Sequence, residues 1–135
     1  MTAPLLDPLR PAVDPPTALL LCGDASVPCD VLLRTVAAAG AEVIVHERRW
    51  PEAVHLAADL APDVAVVDLA VAGSAGVRIV SVLRCALPGC EVVVVTPLPD
   101  LDAAAREAGA VEVVRPEDLR PLTAVLVRLA GDRGR

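Results

Sequence analysis

The stretch PDVAVVDLAVAGSAG, from Pro62 to Gly76, decides how the chain is read. Its first half, Asp63 to Asp68, is a short run of Val and Ala that ends in a carboxylate. A run this brief, rich in β-branched residues and opened by a proline, reads as a strand buried on both faces, as in a parallel sheet. The second half changes character. Ser74 can cap a helix running to about Leu87, with Val77, Val80, Leu83 and Leu87 on one stripe, and Pro88 with Gly89 ends it. Strand, carboxylate, loop and helix thus follow one another within a single βα unit.

Working outward, the same alternation recurs. Ala18 to Cys22, Glu42 to His46, Glu91 to Thr96 and Val111 to Arg115 are further strand runs. Between them lie segments of helical spacing: Asp30 to Ala39, closed by Gly40; Pro51 to Leu60, with proline in its first turn; Leu101 to Ala108, with Asp100 as a cap and Gly109 as a stop; and Pro116 to Ala130. Five strands alternating with helices predict an α/β fold with a parallel sheet and helices on both faces. The expected organisation is one domain over residues 17–131, preceded by a disordered Pro-rich leader over 1–16 and followed by a flexible tail over 132–135.

Composition narrows the function. With 12 Lys and Arg against 18 Asp and Glu, the formal net charge is -6. No basic face is available to release counterions from a nucleic acid, so nucleic-acid binding is not expected. Although 55% of the residues are hydrophobic, no apolar run reaches the roughly 18 residues of a membrane-spanning helix, and no membrane association is expected. Cys22, Cys29, Cys85 and Cys90 lack the short spacing of zinc or redox sites and read as buried thiols in a reducing cytoplasm. His46 and His55 stand apart from them.

In open parallel sheets, ligands bind outside the carboxyl ends of the strands. Asp24 follows the first strand, Asp68 closes the third, Thr96 the fourth and Arg115 the fifth. Two carboxylates, a hydroxyl and a cation on one rim could hold a divalent ion and a transferring phosphoryl group. Each residue also has an ordinary reading: Asp68 a solvated strand end, Asp24 a helix cap, Thr96 a favoured strand residue, Arg115 the ion-pair partner of Asp68 or Asp24. Trp50, the single aromatic, reads as a packing residue at a helix start or as a partner contact.

These residues carry a resemblance to the receiver domains of bacterial response regulators, in register from Thr17 to Ala130. Pro62 to Gly76 resembles the family's third strand, its phosphorylated aspartate and the following loop with glycines three apart. EVVVVTP, Glu91 to Pro97, resembles the fourth strand with its Thr or Ser, and GAVEVVRP, Gly109 to Pro116, the stretch carrying Lys-Pro.

The resemblance implies a doubly wound sheet of order 2-1-3-4-5 in a three-layer sandwich and Asp68 as phosphoacceptor. It also implies Mg²⁺ held by Asp24, Asp68 and the Ala70 carbonyl, Thr96 and Arg115 as phosphoryl contacts, and a sensor histidine kinase or other signalling protein as partner. The last helix and the surface beside the fourth correspond to the family's dimer and partner face, which makes a homodimer conceivable. Such a protein is a phosphorelay component and not an enzyme.

Departures from the pattern are specific. LLCGDAS, Leu20 to Ser26, has Gly23 before Asp24 where the family has two adjacent acids; Arg115 replaces lysine, and Pro97 a small residue. No Tyr or Phe exists to supply the aromatic of the fifth strand. Three functions remain: an atypical stand-alone receiver phosphorylated on Asp68, a pseudo-receiver binding partners without phosphorylation, and a flavodoxin-like binder of FMN or cobalamin.

Overall fold

Alternation along the strands sorts the aliphatic side chains into two cores. In the computed structural model, which describes residues 15–22, 27–47, 49–69 and 73–133, β1 (Thr17–Leu21) sends Leu19 and Leu21 to one face and Ala18 and Leu20 to the other. In the same way, β3 (Val64–Asp68) divides Ala65 and Val67 from Val64 and Val66, and β4 (Glu91–Val95) divides Val92 and Val94 from Val93 and Val95. Both faces are covered, which is why these strands read as continuous apolar runs.

The five parallel strands, completed by β2 (Glu42–Glu47) and β5 (Ala110–Val114), lie in the order β2-β1-β3-β4-β5, as expected. One core takes Ala53 and Ala57 from α2 (Trp50–Leu60), Val80 and Leu83 from α3 (Gly73–Ala86) and Ala105 from α4 (Asp102–Ala108). The opposite core takes Leu32 and Val36 from α1 (Cys29–Ala38) and Leu122, Val125 and Leu126 from α5 (Arg120–Arg133). Among the described residues no helix is long and apolar enough to cross a membrane.

Local chemistry sets the boundaries. At the end of α1, Gly40 adopts φ +88, its N–H reaching the Ala37 carbonyl while the Ala41 N–H reaches that of Val36. This is a Schellman closure. Most boundaries shift by a residue or so from the sequence reading, α3 starting at Gly73 so that Ser74 lies within it, and those of α4 and α5 have a local cause. Asp100 lies inside a 3₁₀ turn, Pro99–Leu101, and makes no capping hydrogen bond; α4 begins only at Asp102. The last helix starts at Arg120, not Pro116: Arg115 bridges Asp118, and the Asp118 carboxylate accepts the Arg120 N–H at 3.2 Å. It continues to Arg133, past the expected end at Ala130. Pro16, assigned to the leader, is buried, and its carbonyl accepts the Glu42 N–H at 2.8 Å. Residues 1–14 and 134–135 lie outside the described residues.

Helix α2 ends on a non-glycine residue in the left-handed region, Ala61, with φ 49. A Cβ there costs about 1–2 kcal/mol, partly offset by the greater entropy of glycine in the unfolded chain. Ala61→Gly is therefore expected to raise the unfolding free energy by about 0.5–1 kcal/mol in a urea titration. An unchanged or lower midpoint would contradict the strain assigned to this cap.

Candidate functional site at the carboxyl rim of the sheet

The strand order reverses between β1 and β3, so the crevice of this sheet opens beside the end of β3. Asp68 is the last residue of that strand and is half-buried. It shares the register face of Val64 and Val66, toward α1. There its Oδ2 accepts the Val27 N–H at 3.3 Å, joining the loop after β1 to the end of β3. An acid at this position combines fixed geometry with partial access to water.

Register carries the rim onward. Asp68 is the Cα partner of Val95, and Val95 of Val114, so Thr96 and Arg115 each extend one residue beyond that level. Asp68, Thr96 and Arg115 therefore occupy one edge on three adjacent strands. Asp24 and Ala70, the other two expected metal ligands, lie outside the described residues, as does Gly23. Among the described residues no group of three or more His, Cys, Asp or Glu converges as a metal site. Asp68 is the single expected metal ligand within the described residues.

The Thr96 side chain is fully buried and engaged twice. Its Oγ1 donates to the Leu69 carbonyl at 3.1 Å and accepts the Leu98 N–H at 3.1 Å. The hydroxyl thus ties the ends of β3 and β4 together and fixes the loop entering α4. To contact a group on Asp68 it would have to leave the Leu69 carbonyl.

Arg115 corrects an expectation. Among the described residues its carboxylate partner is Asp102, not Asp68: Nη1 and Nη2 donate to the two carboxylate oxygens of Asp102 at 3.0 and 2.6 Å, and Nη1 also donates to the Thr96 carbonyl at 3.2 Å. The planar fork suits a carboxylate in the first turn of a helix, which the helix dipole also favours. The hydrogen-bonded guanidinium lowers the Asp102 pKa, and the carboxylate in turn raises that of Arg115.

Sequence reasoning missed Asp102 altogether. The available signal was the substitution of arginine for lysine, since a bidentate donor calls for a carboxylate partner.

The thiols divide. Cys22 and Cys90 are buried as expected, Cys29 is half-buried, and Cys85 is exposed on α3. Burial pushes the Cys90 thiol up to about 12, so it stays protonated and is no nucleophile at neutral pH. The side chains of Trp50 and Ser74 lie outside the described residues.

No family model matches the sequence, and no curated protein matches it either. Solved structures do match in shape. A response regulator from Thermotoga maritima has a TM-score of 0.69 at 21% identity, covering 87% of this chain and 98% of its own. A protein of Burkholderia pseudomallei described as pilus assembly-related has a TM-score of 0.72 at 24% identity, covering 89% and 92%. A response regulator of Burkholderia pseudomallei, solved with a phosphorylated aspartic acid, a calcium ion and citrate, has a TM-score of 0.68 at 22% identity, covering 87% and 69%. The fold is that of the CheY-like receiver domain.

Proposed function

We propose that this chain is a receiver-type module of phosphorelay signalling that accepts a phosphoryl group on Asp68 and signals through protein contacts. The observation that carries the reading is the position of Asp68: a half-buried carboxylate closing β3 beside the switch point of a receiver fold. In the transfer, a carboxylate oxygen of Asp68 forms a bond to phosphorus as the bond from phosphorus to the donor, a kinase phosphohistidine or acetyl phosphate, breaks. The product is an acyl phosphate.

Asp68, with Asp24 and the Ala70 carbonyl, would hold Mg²⁺, which supplies charge neutralisation at the phosphoryl oxygens. A contact surface for a partner or a second copy is compatible with the apolar residues left exposed, Val111 on β5 and Val127 on α5 at 41% and 55%.

A second reading has its own support. Arg115 is held by Asp102, and the Thr96 hydroxyl is already satisfied, so two groups that would answer a phosphoryl group are committed elsewhere. This favours a pseudo-receiver that binds partners in one state. Acetyl phosphate with Mg²⁺ separates the two. Intact-protein mass spectrometry is expected to show one added phosphoryl group on the native chain and none on Asp68→Asn. An unmodified native chain, together with undiminished partner binding by Asp68→Asn, would replace the first reading with the second.

A further inference from the structure

A polar chain runs across the rim from α4 to β3: Asp102 holds Arg115, Arg115 donates to the Thr96 carbonyl, and the Thr96 hydroxyl donates to the carbonyl of Leu69, the residue after Asp68. We infer that Asp102 is a positioning residue for Arg115, competing with an anion on Asp68 for the guanidinium and so setting how tightly the rim binds a phosphoryl group. The inference rests on the phosphoacceptor reading and deepens it.

The geometry supplies the competition. Arg115 and Asp68 stand at the ends of β5 and β3, with β4 between them, so two interstrand spacings of about 10 Å separate their backbones. An extended arginine side chain and a phosphoryl group carried on Asp68 can share that distance. Yet both guanidinium nitrogens that would reach across already hold the Asp102 carboxylate, and one of them also holds the Thr96 carbonyl. Turning this planar fork toward an anion on Asp68 breaks its bidentate hold on Asp102.

The side chains are 28% and 40% exposed, so water weakens the pair and release is feasible. A ligand that binds only the released state has its affinity reduced by the rarity of that state. Removing Asp102 removes that reduction and frees α4 from β5 at the same point.

The test is a beryllofluoride titration with Mg²⁺, followed by amide chemical shifts, on the native chain, Asp102→Ala, Asp102→Asn and the double variant Asp102→Ala/Arg115→Gln. Asp102→Ala is expected to bind about fivefold more tightly than the native chain, with Asp102→Asn in between and the double variant losing the gain. Loss of the gain with Arg115 distinguishes competition for the guanidinium from a looser α4. Equal affinity of a responding native chain and Asp102→Ala would overturn the inference and leave the phosphoacceptor reading standing. Silence of both chains would overturn the two together, whereas a response of Asp102→Ala alone would support the inference.

Discussion

Gly109→Ala is expected to lower the unfolding free energy by about 1.5–3.5 kcal/mol, through two causes acting at one atom. Gly109 closes α4 with φ 118, a backbone conformation that costs a residue with a Cβ about 1–2 kcal/mol. The added Cβ would also stand 2.6 Å from Cγ and 3.2 Å from Cδ of Arg84. These atoms are the stem of a side chain anchored at its far end, where Nη1 donates to the Cys90 carbonyl. Arg84 must then leave its rotamer or weaken that hydrogen bond, at about 0.5–1.5 kcal/mol for each.

Gly40→Ala is the control. At φ 88 with nothing within 4 Å of a Cβ, it should show the backbone cost alone. Urea denaturation of both variants measures the difference, and equal losses would remove Arg84 from the account.

Gly109 and Asp102 mark the two ends of what the sequence disclosed. The stop at Gly109 was legible because a glycine after an apolar-periodic segment is a local signal, and local signals also gave the five strands and most helix boundaries to within about a residue. The start of α5 was not, because a turn competes with the helix. Pro116 suits a first helical turn, but Arg115 to Asp118 closes into a turn of its own, and the Asp118 carboxylate captures the Arg120 N–H. Asp118 is consequently the residue that caps the helix.

The clamp between Arg115 and Asp102 spans thirteen residues, with no periodicity to announce it. The ordinary reading of Arg115 paired it with the rim carboxylates because those were the acids that the strand ends made visible. A guanidinium needs two acceptor oxygens in one plane. Asp102 offers them from the neighbouring helix, whereas Asp68 stands two strands away. The identity of the rim positions was thus readable from strand ends, but their hydrogen-bond partners were not, since those depend on which elements pack beside them.

Thr96→Val tests the same network from its buried middle, and it should cost about 1–3 kcal/mol although side-chain shape is nearly conserved. The residue is wholly buried, and the Leu69 carbonyl that accepts its hydroxyl belongs to a residue only 3% exposed. With valine that carbonyl loses a donor it cannot replace from water. The Leu98 N–H, whose residue is 38% exposed, can turn to solvent and adds little. Thr96→Ser keeps the hydroxyl and loses one methyl group, so its cost of about 1 kcal/mol should come from packing alone.

Equal losses for the two variants in denaturant melts would mean that the hydroxyl contributes only its volume. The functional consequence follows from the same bond. If a phosphoryl group on Asp68 draws the Thr96 hydroxyl away, the Leu69 carbonyl is left without its donor, so a rim that switches must give up part of what now holds β3 to β4. The valine variant has already lost that bond, and its melting curve measures how much stability such a switch would have to surrender.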